Sequence, residues 1–368
     1  MDDEAIPSGE LKRGWTTGTC AAAGAKAAYV GWVTGEFPDP VDVLLPGGQR
    51  PAFALARTER TADGASTGIV KDAGDDPDVT HGALIWTTVG PAPLGSGVTF
   101  RAGPGVGTVT RPGLPVPPGE PAINPMPREM IRTALAEAAA ETGGPRDVTV
   151  TVSIPGGEEI ARRTLNGRLG IVGGLSILGT TGIVVPFSCA AWIHSIHRGI
   201  DVARASGLTH VAGATGSTSE AAVQKLHALP EVALIEMGDF VGGMLKYLRR
   251  HPVPRVTVAG GFAKMVKLGQ GMIDLHSRAG PIDMAWLADR AAEAGADEAF
   301  RAWVPTANAA NEVLVEALAR GIPLADVVAR HAFRTAAEAV GGGADELEIA
   351  VFDRQGGLVS RVPFTKVG

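Results

Sequence analysis

Residues 165–188, LNGRLGIVGGLSILGTTGIVVPFS, separate two parts of the chain that differ in character. The stretch holds six glycines, too many for an ordinary helix or strand, and it is too apolar for a solvated loop. Glycine lets backbone amides come close to a ligand or to another strand. The stretch is therefore either a tightly packed turn between two domains or a cradle for a large anionic ligand.

The residues before this stretch predict more strands than helices. An alanine-rich helix is predicted at 21–33 and a second helix at 127–141. Alternating apolar residues predict a hairpin at 41–57 and further strands at 65–70, 83–89, 98–101 and 148–154. We therefore expect residues 1–165 to form a two-layer α+β domain.

After residue 188 the pattern changes to strand, glycine turn and helix. A helix is predicted at 189–206, and apolar strands that alternate with helices follow, among them 232–237 and 255–259. This alternation is typical of βαβ units and a parallel sheet. Together with a closing hairpin at 347–362, it predicts a Rossmann-like C-terminal domain over residues 166–368.

Composition restricts the class of protein. A length of 368 residues suffices for two domains with substantial cores, and the net charge of −6 argues against general nucleic-acid binding. Cys20 and Cys189 are the two cysteines, which favours a reducing compartment over a disulfide framework. The acidic N-terminus does not resemble a signal peptide, and no apolar run is long enough to span a membrane. We expect a cytoplasmic protein with neither nucleic acid nor membrane as a partner.

The densest polar cluster is VKDAGDDPDVTHG at 70–82. Four aspartates, a lysine and a histidine in so short a segment are not core material. The cluster has three interpretations: a divalent-metal site, although the spacing does not fit a helix–loop–helix calcium loop; a catalytic loop with a general base; or a turn rich in aspartate. The candidate catalytic residues are Asp72, Asp75, Asp76 and His81.

Two further segments indicate ligand sites. Thr16–Thr19 precede the alanine-rich helix, with Thr17 or Thr19 as the predicted N-cap, and the first turn offers N–H groups to an anion, unless the helix is simply well capped. In the second domain, the turn at 213–216 follows a strand and opens a helix. Glu236 ends the next strand, where doubly wound folds bind a ribose. This arrangement favours a nucleoside-type ligand.

Two other motifs are weak. The segment 103–107 lacks the third glycine of the dinucleotide fingerprint and precedes no helix. His194 and His197 could share a metal ion with Cys189, but no fourth ligand has a familiar spacing. We therefore expect no metal site in the protein.

With these segments in view, the chain resembles the CbiD family, the cobalt-precorrin-5B carbon-1 methyltransferases of the anaerobic cobalamin pathway. Four blocks carry the resemblance: TTGTCAAA at 16–23, VKDAGDDPDVTHG at 70–82, GVGTVTRPGLPVPPGEPAINPMPREMI at 105–131, and residues 168–188. The blocks at 238–248 and 260–277 are also similar to the family, so the resemblance covers nearly the whole chain.

The resemblance implies transfer of a methyl group from S-adenosylmethionine to carbon 1 of cobalt-precorrin-5B, giving cobalt-precorrin-6A. Positioning supplies most of the catalysis in such a displacement, and cobalt arrives within the substrate. We expect an active site between the domains, with the corrinoid on the α+β domain and on 168–188, and S-adenosylmethionine on the βαβ domain. One of the four candidate catalytic residues would accept any proton.

The candidate binding residues follow from this assignment. Substrate carboxylate arms are assigned to hydroxyl, amide and cationic groups: Thr16, Thr17, Thr19, Lys71, Asn124, Arg128, Arg168, Ser176, Thr180 and Thr181. The cofactor is assigned to the turns of the second domain: Gly213, Thr215, Gly216, Ser217, Glu236, Asp239, Gly260 and Gly261.

Two competing functions remain, a phosphotransferase with a glycine-rich loop and a non-catalytic tetrapyrrole carrier. The sequence does not decide whether the substrate contains cobalt or is metal-free. A homo-oligomer and hand-over of the tetrapyrrole from neighbouring pathway enzymes are also possible partners.

Overall fold

The first half of the chain folds around a mixed sheet with helices packed on it. Its helices are α1 (Thr17–Thr34), α2 (Pro125–Thr142) and α3 (Gly157–Ala161). Its strands are β1 (Gly14–Trp15), β2 (Val41–Asp42), β3 (Ala52–Phe53), β4 (Arg57–Thr61), β5 (Gly64–Val70), β6 (Leu84–Pro91), β7 (Val98–Ala102), β8 (Gly105–Val106), β9 (Thr108–Val109), β10 (Val148–Ser153), β11 (Ile171–Val172), β12 (Gly174–Leu175) and β13 (Ile183–Val184). The helices and longer strands predicted for this half are confirmed, with their ends shifted by a few residues.

The main sheet of this half has the strand order β4-β5-β6-β10-β7. Neighbouring strands are antiparallel, except that β7 runs parallel to β10. Along β10, Val148, Val150 and Val152 are buried while the residues between them are half-buried. Because successive side chains of a strand point to opposite faces, these valines mark the face that packs against the helices.

Helix α1 lies close against this sheet. The Thr67 hydroxyl of β5 donates to the carbonyl oxygen of Gly24 at 2.7 Å. A Cβ atom on Gly24 would lie 2.9 Å from Oγ1 of Thr87 in β6. Glycine at this position therefore permits the close approach of the helix to both strands.

The glycine-rich stretch pairs with strands that precede it in the chain. Strand β11 pairs antiparallel with β9, β12 parallel with β8, and β13 antiparallel with β1. The computed structural model, which describes residues 10–367, divides the chain into two units between Ser188 and Cys189. The stretch thus belongs to the first unit and not, as predicted, to a second domain beginning at residue 166, because its strands take their backbone partners from the first unit.

Glycine permits close backbone packing around β8, against Ile154 and against β12. A Cβ atom on Gly105, where φ is 79°, would lie 1.9 Å from the carbonyl oxygen of Ile154. A Cβ atom on Gly174 would lie 2.3 Å from the carbonyl carbon of Gly105. No side chain fits between these backbones, so the glycines serve backbone packing here.

The second unit is built on a parallel sheet. Its helices are α4 (Cys189–Ala205), α5 (Ser217–His227), α6 (Val241–Leu248), α7 (Phe262–Gly269), α8 (Met284–Glu293), α9 (Glu298–Trp303), α10 (Ala310–Ala319) and α11 (Leu324–Val340). Its strands are β14 (His210–Ala214), β15 (Leu234–Glu236), β16 (Arg255–Gly261), β17 (Glu346–Phe352) and β18 (Leu358–Lys366). The predicted parallel pairing and the closing hairpin are confirmed.

The strand order in this sheet is β15-β14-β16-β17-β18, in which the first four strands are parallel and β18 is antiparallel. Both faces are covered by helices. Val211 and Val256 belong to a core shared with α4, α6, α7 and α11, whereas Ala212 and Ala214 pack with α5 on the other face. Among residues 10–367, no helix combines the length and the apolar character needed to cross a membrane.

We predict that Gly105→Ala destabilises the protein more than Gly156→Ala does. Both glycines have a positive φ, 79° and 75°, but no heavy atom lies within 4 Å of a Cβ atom on Gly156. Gly156→Ala should cost about 1–2 kcal/mol for backbone strain alone. Gly105→Ala should cost at least a further 1–3 kcal/mol or so for overpacking. Urea unfolding measures both losses, and equal losses would show that the backbones can separate freely.

Candidate functional site

A buried lysine organises the loop between β5 and β6. Lys71 is only 1% exposed, and its Nζ donates to the Asp78 carboxylate and, at 2.7 Å, to Oγ1 of Thr80. Burial acts to raise the pKa of Asp78, but Lys71 and Thr80 outweigh burial and lower it. The prediction that Lys71 binds a substrate carboxylate does not agree with this burial, because its charge is already used inside the loop.

Two of the predicted catalytic aspartates fasten the loop to the preceding chain. Asp72 forms an ion pair with Nζ of Lys12 at 2.6 Å, and Asp75 accepts the backbone N–H of Lys12 at 2.6 Å. The hydrogen bond from Lys12 lowers the pKa of Asp72. A carboxylate with a lowered pKa is a weak base, so Asp72 is a poor proton acceptor.

Asp76 differs from its neighbours. Its Oδ1 accepts the backbone N–H of Phe187 at 2.8 Å, and Phe187 has a positive φ of 55°. Burial raises the pKa of Asp76, and the nearby Asp78 raises it further. A carboxyl group with a raised pKa is better suited to exchange a proton near neutral pH. The sequence did not indicate the contact with Phe187, which lies far along the chain.

His81 is exposed, and one of its ring nitrogens is already engaged. Nδ1 accepts the N–H of Ala73 at 3.1 Å, while the side chain is 56% exposed. In the neutral ring the proton therefore lies on Nε2, which is a donor. Nε2–H of His81 is thus placed to donate a hydrogen bond.

The threonines at the start of α1 contact the glycine-rich stretch. The N-cap is Thr16 rather than Thr17 or Thr19, since Oγ1 of Thr16 accepts the N–H of Thr19 at 3.2 Å. The Thr19 hydroxyl donates to the carbonyl oxygen of Gly182 at 2.7 Å.

Two further hydrogen bonds join this helix end to the glycine-rich stretch. The N–H of Gly18 donates to the carbonyl oxygen of Leu178 at 2.9 Å, and the N–H of Leu178 donates to Oγ1 of Thr17 at 2.9 Å. The two segments predicted as separate anion cradles thus bind one another. The expectation of an open anion site at residues 16–20 is corrected accordingly.

Arg128 and Ser176 are also engaged within the chain. The Arg128 guanidinium donates to the carbonyl oxygen of Ile123 at 2.8 Å and to the Glu120 carboxylate at 3.2 Å. Ser176 is buried and donates to Oδ1 of Asn166 at 3.3 Å. A direct contact between Ser176 and a substrate does not agree with its burial.

The other predicted substrate-binding residues are more accessible. Asn124 is the N-cap residue of α2 but makes no side-chain capping bond. Thr180 and Thr181 are exposed, and the carbonyl oxygen of Arg168 accepts a hydrogen bond from Arg111 at 3.1 Å.

The glycine-rich stretch also exposes apolar side chains. Val172, Leu178 and Val185 each expose about half of their side chain. A Cβ atom on Gly18 would lie 2.7 Å from the Pro127 ring and 2.9 Å from the carbonyl oxygen of Leu178, so the starts of α1 and α2 adjoin this surface. The stretch therefore offers apolar side chains and glycine backbone rather than charge.

In the second unit, the predicted cofactor residues gather at the carboxyl edge of the parallel strands. Ala214 pairs with Glu236 and with Ala259, so the turns that follow β14, β15 and β16 lie side by side. The N–H of Thr215 donates to the carbonyl oxygen of Ala259 at 3.0 Å. The edge brings together Thr215, Gly216, Ser217, Glu236, Asp239, Gly260 and Gly261.

The four predicted cofactor-binding glycines fall into two kinds. A Cβ atom on Gly213 would lie 2.3 Å from Sδ of Met244, and one on Gly260 would lie 2.6 Å from Cε of Met265. These two glycines make room for methionine side chains, so their lack of a side chain is explained by packing. Gly216 and Gly261 have no heavy atom within 4 Å of a Cβ position, and the backbone of both is extended rather than left-handed.

Side chains that the sequence reasoning missed border this edge. Lys264, in the first turn of α7, forms an ion pair with Asp239 at 2.5 Å. Nε1 of Trp192 donates to the carbonyl oxygen of Glu236 at 3.2 Å. The position of Lys264 in the first helical turn after the glycines at 260–261 was the signal that could have indicated it.

The suggested metal ligands are not arranged around a common point. Within residues 10–367, no group of three or more histidine, cysteine or acidic residues could hold a metal ion. His197 instead stacks on Tyr247, with ring centroids 3.9 Å apart.

Comparison with known proteins relates both units to one family. A family model described as CbiD matches residues 5–186, and one described as the CbiD C-terminal domain matches residues 274–363. A protein of Bradyrhizobium sp. named cobalt-precorrin-5B C(1)-methyltransferase is 67% identical over 95% of this chain and 93% of its own length. The chain belongs to the CbiD family.

Other CbiD proteins are similar over comparable lengths. The protein of that name from Methylorubrum extorquens is 61% identical over 96% of this chain and 98% of its own. A crystal structure of a cobalamin biosynthesis protein (cbiD) from Archaeoglobus fulgidus is 27% identical, covers 73% of this chain and 83% of its own, and has a TM-score of 0.41.

We predict that Lys71→Met destabilises this CbiD protein far more than Lys12→Met. Removing Lys71 leaves the partly buried Asp78 carboxylate without its partner, which should cost about 3 kcal/mol. Lys12 is exposed, and exposed ion pairs contribute little. Urea unfolding at pH 7 tests the contrast.

The pH dependence gives a second check on Lys71. The pKa of Asp78 is lowered in the folded state, so the stability it contributes is present above its unfolded pKa and is lost as pH falls through the folded pKa. The difference between wild type and Lys71→Met should therefore shrink in acid. Equal effects of the two lysine variants at pH 7 would contradict the structural role of Lys71.

Proposed function

We propose that the chain is an S-adenosylmethionine-dependent methyltransferase that methylates carbon 1 of cobalt-precorrin-5B in cobalamin biosynthesis. The observation that carries this proposal is the identity of 67% and 61% to relatives of that name over at least 95% of this chain. Identity at this level extends over both units, so we assign the complete activity of the relatives to this chain.

We infer that the second unit binds the methyl donor in a Rossmann-like manner. Its parallel strands end together at one edge, where α5 begins after Gly216 without a side-chain cap. A helix start of this kind favours polar or anionic ligand groups, and Glu236 lies where a ribose hydroxyl is bound in doubly wound folds.

The glycine environments fit such a ligand. The open space at Gly216 and Gly261 is not required by the backbone conformation of either residue, so it suits the close approach of a ligand. When bound, S-adenosylmethionine supplies an electrophilic methyl group on a sulfonium.

The first unit supplies the features that a corrinoid needs. Its exposed apolar surface at Val172, Leu178 and Val185 fits a macrocycle, and Nε2 of His81 fits a substrate carboxylate as a hydrogen-bond donor. Cobalt belongs to the substrate in this proposal. Transfer of a methyl group to an electron-rich ring carbon needs alignment above all, so these groups act by positioning.

Asp76 is the proton acceptor in our proposal, among the four residues considered from the sequence. Asp72 and Asp75 are committed to Lys12, and the Nδ1 lone pair of His81 is committed to Ala73. The pKa of Asp76 is raised, chiefly by burial.

Thermal-shift measurements test donor binding and the competing functions. S-adenosylhomocysteine should raise the melting temperature, whereas ATP should not. Gly216→Ala should weaken this shift and leave the melting temperature of the free protein unchanged. Its methyl group would enter the space proposed for the ligand without touching any other protein atom. Gly213→Ala should mainly lower the melting temperature of the free protein, through its overlap with Met244.

Other outcomes of this measurement would favour one of the two competing functions. A shift with ATP alone favours a phosphotransferase. Corrinoid binding without any S-adenosylhomocysteine response favours a tetrapyrrole carrier. Methyl transfer from labelled S-adenosylmethionine to cobalt-precorrin-5B, and to its metal-free counterpart, then tests the activity and the metal preference.

We predict that Asp76→Asn lowers turnover about 100-fold or more while leaving the affinity for S-adenosylhomocysteine unchanged. The asparagine oxygen can still accept the N–H of Phe187. The pKa of Asp76 is raised in the folded state, so its ionised form disfavours folding above that pKa, and the variant should be at least as stable at pH 7.

The control for Asp76 is its exposed neighbour. Asp75→Asn should retain most of the turnover, because Asp75 contacts the backbone of Lys12. If Asp76→Asn retains normal single-turnover rates, Asp76 is not the proton acceptor.

A further inference from the structure

Two lysines one helical turn apart in α7 have different surroundings. Lys267 is 8% exposed, and its Nζ donates to the carbonyl oxygens of Leu275 and His276 at 3.2 and 3.1 Å. Burial lowers its pKa, and the charge of Lys264 lowers it further. Lys267 therefore holds the backbone at 275–276 and has little access to a ligand.

Lys264 is more accessible and faces a carboxylate. Its side chain is 34% exposed, and its Nζ lies 2.5 Å from Oδ1 of Asp239, whose side chain is 20% exposed. Nζ also donates to the carbonyl oxygen of Leu275 at 3.2 Å. In the part of the chain that the structure describes, these contacts use two of the three N–H groups of Lys264 and one oxygen of Asp239. Both side chains keep hydrogen-bonding capacity for a ligand.

The pair lies at the carboxyl edge of the parallel sheet. Asp239 follows β15, and the N–H of the adjacent Gly238 donates to the carbonyl oxygen of Ala214, the last residue of β14, at 3.2 Å. Lys264 is the third residue of α7, which begins directly after β16. Two other charged groups lie nearby, Lys267 and Asp274. The two lysines and the two aspartates around this pair therefore balance in charge.

Opposite charges side by side complement a zwitterion. A simple anion would be repelled by Asp239 and a simple cation by Lys264, whereas an α-amino acid presents an ammonium and a carboxylate together. S-adenosylmethionine carries such an amino-acid end beside its nucleoside.

We propose that Asp239 and Lys264 recognise the amino-acid end of the methyl donor: Asp239 accepts from its ammonium group, and Lys264 donates to its carboxylate. This inference rests on the proposed function, in which the second unit binds S-adenosylmethionine. The pair would make the protein bind the complete donor more tightly than nucleosides that lack the amino-acid end.

Calorimetric titration of the full chain with two ligands tests the assignment. S-adenosylhomocysteine has the amino-acid end, and 5′-methylthioadenosine lacks it. Asp239→Asn and Lys264→Met should each weaken S-adenosylhomocysteine binding about 10- to 100-fold and leave 5′-methylthioadenosine binding within about 2-fold. As a matched control, Arg255→Met removes an ion pair with Glu346 at 2.8 Å at the other end of the strands and should change neither affinity.

A charge-swapped variant separates recognition from folding. Asp239→Lys combined with Lys264→Asp restores an internal ion pair, so a purely structural pair would recover binding of both ligands, which would overturn the inference. Equal losses for the two ligands in the single variants would also overturn it. A wild-type protein that binds neither ligand would overturn the proposed donor site itself, together with the inference.

Discussion

The close contact of the Gly174 and Gly105 backbones is the constraint on which the first unit depends. A Cβ atom on Gly174 would overlap the backbone of Gly105, so only glycine at residue 174 lets β12 pair with β8. This pairing sets the path of the chain that follows, which brings the carbonyl groups of Leu178 and Gly182 to the start of α1. The same path ends at Phe187, where Asp76 accepts the backbone N–H. One backbone contact thus links the glycine-rich stretch, the first helix and the acidic loop.

This arrangement determines which polar groups remain for chemistry. Burying a polar group or a charge is costly unless it is paired, and the chain pairs Lys71 with Asp78 and Lys12 with Asp72. Most charged side chains of the acidic loop therefore form ion pairs that hold the loop in place. Asp76 and the exposed ring nitrogen of His81 stand apart from these pairs, and the adjoining surface of the stretch is apolar. An apolar surface with few polar groups beside it suits a large, flat substrate with carboxylate arms better than a small anion.

The sequence predicted the elements well and their partners less well. Periodicity and alanine content depend on local residues, which is why α1, α2 and the alternating strands and helices of the second unit were foreseen. The domain boundary was misplaced because the partners of 171–184 lie far back in the chain. Local rules likewise did not select Thr16 among three neighbouring threonines, since its geometry depends on Gly182. The burial of Lys71 and the packing of Gly213 against Met244 depend on tertiary contacts in the same way.

The two units show why a threonine- or glycine-rich helix start does not by itself identify a ligand site. At α1, a carbonyl and a hydroxyl oxygen of the same unit accept the N–H groups of Gly18 and Thr19, which offsets the positive end of the helix. At α5, the helix begins after an open glycine and has no side-chain cap; Glu220 is the acidic residue of its first turn. The start of α1 is thus contacted by another segment of its own unit, whereas in our proposal the start of α5 contacts the methyl donor. At α1 the segment that covers the helix end is the glycine-rich stretch, which lies far along the chain and which local sequence rules do not reveal.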